Sequence, residues 1–204
     1  MAGTITSLEE DRRGRTAVYL DGALVLRLPA LVAASAGLCL GRFLTDKEIA
    51  SLQGQGDFQS TMDLALRYLS FRARSEKEVR DYLCRHQVPE ETATAVLSRL
   101  RELRLVDDVA FAMAWIEERR RLRPRGARAL SQELRRKGVA SETIEAVLPA
   151  DDPEEAYRLA RRRAQHLDRS DRQAFRRRLS AYLLRRGYSY DLVGTLVDRL
   201  WTED

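Results

Sequence analysis

The sequence contains few of the residues from which metal sites and disulfide frameworks are built. Its 204 residues include two cysteines and two histidines. Cys39 and Cys84 lie far apart without a CxxC spacing, so they fit no disulfide framework and indicate a reducing compartment. His86 and His166 each lack a second ligand at metal spacing. We therefore expect no metal site and no cofactor.

Long apolar runs and nucleotide-binding motifs are also missing. The most apolar stretch, residues 23–44, is interrupted by five residues: Arg27, Pro29, Gly37, Gly41 and Arg42. It therefore does not predict a membrane span, and residues 1–10 lack the basic and apolar segments of a signal peptide. No GxxxxGK[ST], GxGxxG or GxSxG motif occurs. These absences favour a cytoplasmic protein that contacts no membrane and catalyses no reaction.

Charged side chains are abundant but unevenly distributed. They make up 33% of the chain, and the formal net charge is +5. Residues 117–204 contain 21 basic and 15 acidic side chains, whereas residues 1–60 contain 6 and 7, and residues 61–116 contain 9 and 9. The positive excess in the C-terminal part indicates an anionic partner, either nucleic acid or an acidic protein surface.

The N-terminal residues predict β-structure. Two apolar runs, residues 16–20 and 23–26, flank Asp21-Gly22, which is a strong signal for a hairpin with a type I′ turn. Residues 4–8 could supply a third strand.

Two short helices are predicted to follow, over residues 29–36 and 45–53. Thr45 and Glu48 form the pattern of a capping box at the start of the second helix. The next residues, 54–57 (GQGD), predict a linker.

From residue 58 onward the apolar spacing is helical and the sequence repeats. Three blocks align without gaps, with coinciding apolar positions: residues 75–100, 126–151 and 175–200. Each block predicts two helices joined by a tight turn at Gln87, Gly138 or Gly187, where glycine suits a left-handed C-cap.

A further helix is predicted before each block, at residues 62–72, 107–121 and 153–165. The sequence therefore predicts a mainly α fold, in which three tandem three-helix repeats follow a small N-terminal extension of a β-hairpin and short helices. The predicted boundaries are residues 1–56 for the extension and residues 58–104, 105–150 and 151–204 for the three repeats.

Two motifs have both a structural and a functional interpretation. Asp107 and Asp108 are adjacent carboxylates, but neighbours on one helical turn do not face each other. We expect Asp107 to be an N-cap and Asp108 to be favoured by the helix dipole. Phe111 and Trp115 share one helix face, which favours core packing over a platform for nucleic-acid bases.

Basic clusters in the second and third repeats form the candidate partner-binding site. Its residues are Arg119, Arg120, Arg121, Arg123, Arg125, Arg128, Arg135, Arg136, Lys137, Arg161, Arg162, Arg163, Arg176, Arg177 and Arg178. A run of charges is usually a solvated face. Clusters at matching repeat positions can also form a stripe that follows a polyanion, and both interpretations stay open at this point.

Residues 60–204 resemble the RecX family of regulatory proteins. The similarity is carried by residues 105–112 (LVDDVAFA), Trp115, the cluster 119–121, Arg125-Gly126 and residues 133–139 (ELRRKGV). It extends over about residues 60–204, and residues 1–55 resemble the hairpin-bearing extension of some members. The resemblance implies tandem three-helix repeats that bind in the groove of the RecA–DNA filament and restrain RecA activity.

We therefore expect a non-enzymatic, monomeric modulator whose partner is the RecA filament on single-stranded DNA. Whether the protein also contacts the DNA itself is left open. The alternative is a free-standing DNA-binding protein, since two helices joined by a tight turn resemble a helix-turn-helix domain.

Overall fold

The computed structural model describes residues 2–203 of the chain. The strands are β1 (Gly3–Glu10), β2 (Arg15–Leu20), β3 (Ala23–Pro29) and β4 (Phe43–Leu44). The helices are α1 (Ala30–Ser35), α2 (Asp46–Leu69), α3 (Glu76–Arg85), α4 (Glu90–Glu102), α5 (Asp108–Leu122), α6 (Ala127–Arg136), α7 (Ser141–Val147), α8 (Pro153–Ala164), α9 (Arg172–Arg185) and α10 (Tyr190–Thr202).

The chain divides into two compact units. The first consists of Met1–Ala73 and Val79–Leu105, and the second of Arg74–Glu78 and Val106–Asp204. The first unit holds the sheet and most of the first helical repeat, and the second holds the other two repeats. None of the helices within residues 2–203 is both long enough and apolar enough to cross a membrane.

The N-terminal strands form an antiparallel sheet in the order β3-β2-β1-β4. Asp21 and Gly22 have φ angles of 48° and 83°, as the predicted type I′ hairpin requires. The predicted third strand is present as β1, whereas β4 was not predicted. One face of the sheet packs against α1 and the start of α2 around Ile5, Val18 and Leu28.

Helix α2 begins as predicted but is much longer. Thr45 Oγ1 accepts the N–H of Glu48, and the Glu48 carboxylate accepts the N–H of Thr45, so the capping box is confirmed. The predicted linker at residues 54–57 is wrong, because α2 continues through these residues and is 24 residues long.

Gly56 lies inside this helix, and a Cβ on it would lie 2.7 Å from Cδ2 of Leu28. Glycine here allows a close approach of helix and strand rather than a flexible break. The predicted boundary near residue 57 lies inside this helix, and the division into four segments stays a prediction.

The three helical repeats follow the predicted apolar positions. The predicted helices 62–72, 107–121 and 153–165 correspond to the end of α2, to α5 and to α8. Val79, Leu130 and Leu179, which share one repeat position, are at most 2% exposed. Leu83, Leu134 and Leu183 share another position and are fully buried. The cores of the second and third repeats form around these residues.

The tight turn within each repeat has left-handed backbone, as predicted. The φ angles are 59° at Gln87, 84° at Gly138 and 89° at Gly187. After each turn, a backbone N–H returns to the carbonyl of the buried leucine five residues earlier: Val88 to Leu83 at 3.2 Å, Val139 to Leu134 at 3.1 Å and Tyr188 to Leu183 at 3.3 Å. These hydrogen bonds close the helix ends in the Schellman pattern.

The turn of the third repeat is also the point where the second repeat packs against it. The N–H of Gly126 donates to the carbonyl of Arg186 at 2.9 Å, and the N–H of Arg128 donates to the carbonyl of Gly187 at 3.2 Å. A Cβ on Gly187 would lie 2.3 Å from Cβ of Ala129. Glycine is therefore needed here for space as well as for its backbone angle.

The turn of the second repeat makes the matching contact with residues 74–78. Ser75 occupies the repeat position of Gly126, and its Oγ donates to the carbonyl of Lys137 at 2.6 Å. A Cβ on Gly138 would lie 2.3 Å from Cβ of Lys77. We call these two contacts the glycine junctions. In each of them, the start of one repeat's middle helix lies against the glycine turn of the next repeat.

Substituting the junction glycines tests this packing. Gly138→Val and Gly187→Val should each lower the free energy of unfolding by more than about 1 kcal/mol, because the new side chain needs a left-handed φ and overlaps the preceding repeat. Urea denaturation followed by circular dichroism measures the effect. Gln87→Gly, at the same position of the first repeat, should stay within about 1 kcal/mol of the parent protein. Valine variants with the parent's stability would show that the junctions are not tightly packed.

Candidate partner-binding site

The basic side chains predicted to bind a partner divide into two groups. One group forms ion pairs within the chain: Arg119, Arg120, Arg125, Lys137 and Arg176. The other group is exposed at the surface: Arg121, Arg123, Arg128, Arg135, Arg136, Arg161, Arg162, Arg163, Arg177 and Arg178. The side chains of the second group are exposed and can reach another molecule.

Glu133 on α6 interacts with three side chains of the second repeat, namely Trp115, Arg119 and Arg125. Its Oε2 accepts the Nε of Arg119 at 2.8 Å and the indole N–H of Trp115 at 3.0 Å. Its Oε1 lies 3.5 Å from Nε of Arg125. The side chains of Arg119 and Glu133 are 25% and 19% exposed, and the Arg119 guanidinium lies 4.1 Å from the Trp115 ring centroid. This Glu133 cluster (Trp115, Arg119, Arg125 and Glu133) joins the end of α5 to α6.

Lys137 extends the same cluster toward residues 74–78. Its Nζ lies 2.7 Å from Oε1 of Glu78 and 5.0 Å from the centroid of the Trp115 ring. Trp115 thus interacts with two cations, Arg119 and Lys137. The charge of Lys137 is used to hold the glycine junction at Gly138, so we expect Lys137 to support the fold more than a partner contact.

Arg120 joins the second repeat to the third. Its guanidinium lies 3.2 Å from Glu155 and 3.1 Å from Asp152. The hydrogen bond with Glu155 is the main reason why the pKa of Arg120 is raised. The pKa of Asp152 is lowered, because its carboxylate accepts the backbone N–H groups of Glu155 and Glu154 at the start of α8. This ion pair therefore links α5 to the N-terminus of α8.

A second cation cluster lies on the third repeat around the Tyr182 ring. The guanidinium groups of Arg163 and Arg186 lie 5.5 Å and 5.1 Å from its centroid. Arg186 also donates to the carbonyl of Pro124 at 3.3 Å. We call Arg163, Tyr182 and Arg186 the Tyr182 cluster. Arg186 was not among the predicted binding residues, although the repeat alignment places it at the position of Lys137.

The ion pair of Arg176 is more exposed than those of Arg119, Arg120, Arg125 and Lys137. Arg176 lies 3.0 Å from Asp198, but both side chains are about half exposed, at 55% and 50%. Exposed pairs contribute only about 0–1 kcal/mol, so a partner could displace this one at little cost. Arg176 therefore stays available for binding, together with its exposed neighbours Arg177 and Arg178.

Asp107 and Asp108 each bind the start of a helix. Asp107 is the N-cap of α5, as predicted, and its Oδ1 accepts the N–H groups of Val109 at 2.8 Å and Ala110 at 3.0 Å. Asp108 accepts the N–H of Glu76 at 2.8 Å, and burial raises its pKa. Phe111, as expected, lies in the core of the second repeat at 5% exposure. These residues therefore have structural roles.

Comparison with known proteins identifies the three helical repeats. Family models match them as the first, second and third three-helix domains of RecX, at residues 62–100, 107–148 and 150–196. The chain belongs to the RecX family. The predicted resemblance over residues 60–204 is thereby confirmed for all three repeats.

Individual RecX proteins extend the similarity to nearly the whole chain. The protein named Regulatory protein RecX from Levilactobacillus brevis is 34% identical over 96% of this chain and 76% of its own length. That from Streptomyces lividans is 36% identical over 69% of this chain and 77% of its own. A crystal structure of regulatory protein RecX superposes with a TM-score of 0.77 at 27% identity and covers 97% of this chain and 100% of its own. The likeness to this structure therefore extends into the N-terminal region of the chain.

Removing the Glu133 carboxylate tests how far the RecX repeats rely on internal ion pairs. Glu133→Gln should lower the free energy of unfolding by about 1–3 kcal/mol, because two partly buried arginines lose their partner. Urea denaturation gives the value. The control is Glu102→Gln, whose exposed pair with Arg99 should contribute less than about 1 kcal/mol. Equal effects of the two substitutions would count against a structural role for the Glu133 cluster.

Proposed function

We propose that this RecX protein binds the RecA filament on DNA and restrains RecA activity. Membership of the RecX family is the observation that carries the proposal. The name of the family's curated members, regulatory protein, supports a regulatory rather than an enzymatic role. We further infer a monomer that acts in the cytoplasm and needs no cofactor.

The exposed arginines supply the chemistry of binding. Guanidinium groups form paired hydrogen bonds with both carboxylate and phosphate, so they suit an acidic protein surface as well as DNA. In the second repeat, Arg121, Arg123 and Arg128 are exposed close to where Arg119 and Arg125 are occupied by Glu133. In the third repeat, the Tyr182 cluster holds two guanidinium groups over one ring.

Binding to the filament surface would by itself be enough to restrain RecA. A bound protein that covers filament surface blocks the entry of a second DNA molecule or the addition of further RecA subunits. Neither effect needs a chemical step, only binding energy. The modest net charge of +5 favours a partner that offers more than phosphate, because proteins that bind through phosphate contacts alone are usually more basic.

A free-standing DNA-binding protein is the second candidate. It is favoured by the two helices and tight turn of each repeat, which resemble a helix-turn-helix domain.

The two candidates differ in their preferred partner. We expect the protein to bind RecA filaments on single-stranded DNA more tightly than naked DNA at physiological salt. Equal affinity for both would favour the second candidate, and RecA-only and DNA-only samples are the controls.

Exposed arginines of the second repeat test the binding surface. Arg121→Gln, Arg123→Gln and Arg128→Gln together should leave the melting temperature nearly unchanged, because these side chains are exposed. Filament affinity should fall by at least about tenfold, which needs only about 1.4 kcal/mol spread over three contacts. The salt dependence of binding should flatten as ionic contacts are lost. Fluorescence anisotropy with labelled filaments measures both quantities.

The matched control removes acidic charge from the same repeat. Glu142→Gln with Glu145→Gln, on exposed positions of α7, should leave filament binding intact or strengthen it slightly. An arginine variant that folds normally and binds with unchanged affinity and salt slope would mean that these arginines form a solvated face, and the interface would then lie elsewhere.

A further inference from the structure

Among residues 2–203, Phe71 is the most exposed of the large apolar side chains. It follows the C-terminal end of α2 and is 83% exposed. A phenyl ring in this position adds almost nothing to the hydrophobic core of its own chain. Single apolar side chains on a protein surface are common, so the exposure of Phe71 matters only together with its surroundings.

A stack of aromatic rings lies beside Phe71 in sequence and links α2 to α3. The rings of Tyr68 and Tyr82 are parallel within 2°, with centroids 3.9 Å apart. The ring of His86 continues from Tyr82 at 4.3 Å. Tyr68 and Tyr82 are half-buried, whereas His86 is exposed. We call this stack of Tyr68, Tyr82 and His86, together with Phe71, which follows Tyr68 by three residues in the sequence, the repeat-1 aromatic surface.

The chain around Phe71 is positively charged. Residues 64–75 include Arg67, Arg72 and Arg74 and contain neither aspartate nor glutamate. The side chains of Arg67 and Arg72 are exposed. An open aromatic ring between exposed arginines combines the two features that bind single-stranded nucleic acid, which are a stacking platform and a charge opposite to phosphate.

We propose that the repeat-1 aromatic surface stacks unpaired bases of single-stranded DNA, with Phe71 as the ring that contacts a base. The arginines on either side of it hold the flanking phosphates. A base stacks on an aromatic ring whatever its identity, so the contact is independent of sequence. The inference rests on the proposed function in one respect, namely that the DNA of the filament would supply the strand. Binding of naked DNA tests it without RecA.

The experiment compares two oligonucleotides with the same number of phosphates. One is an oligothymidylate of about 15 nucleotides, within the range of single-strand site sizes, and the other carries abasic spacers in place of its bases. At low salt, fluorescence anisotropy should show about tenfold tighter binding to the oligothymidylate, as expected for stacking of one base on one ring. Phe71→Ala should remove this preference and leave the affinity for the abasic strand and its salt dependence unchanged.

Two further variants complete the design. Phe71→Trp keeps an aromatic ring and should retain the preference, and its added fluorescence should be quenched by the oligothymidylate but not by the abasic strand. Tyr190→Ala removes another exposed aromatic ring, 69% exposed on α10, and should leave the preference intact.

Three results would overturn the proposal. The first is equal affinity of the parent protein for both strands, and the second is an equal loss of both affinities in Phe71→Ala. The third is a Phe71→Ala variant that loses only its binding to RecA filaments, since the ring would then contact protein. Because the DNA assay contains no RecA, failure of this proposal leaves the proposed function to be judged by filament binding alone.

Discussion

At the glycine junctions, the start of one repeat's middle helix lies directly against the turn of the next repeat. There is no room for a Cβ on Gly138, which meets the side chain of Lys77, or on Gly187, which meets the Cβ and backbone of Ala129. The left-handed turn residues therefore have two roles: they end a helix, and they contact the start of the middle helix of the preceding repeat. A single three-helix unit has a small core, so contact with a neighbouring unit adds to its stability.

Charged side chains reinforce the same junctions. Asp151 accepts the N–H of Ala127 at 2.7 Å and the N–H of Ser189 at 2.8 Å, and so links the starts of two helices in neighbouring repeats. Lys137 and Glu78 form a matching link beside Gly138. Part of the arginine and lysine content is therefore structural. The formal net charge is consequently a poor guide to the surface that a partner meets, because neutralised and exposed arginines alternate along one stretch of chain.

Features set by neighbours in sequence could be predicted, and features set by distant contacts could not. The buried positions of the repeats, the left-handed turns, the hairpin at Asp21 and the capping box at Thr45 all follow from local pattern. The continuation of α2 through Gly56 could not be predicted, because the reason for that glycine is its contact with Leu28 in a strand. The division of the arginines was equally hidden, since it depends on which of them reach carboxylates distant in sequence, such as Glu133 and Glu155.

The first repeat has Gln87 where the other two have glycine. Its left-handed φ of 59° shows that the turn alone tolerates a side chain, so the glycines elsewhere reflect neighbour contact. At residue 87, a Cβ occupies the space that the start of a preceding unit would need. A duplicated three-helix unit inserted ahead of the first repeat could not attach in the same way.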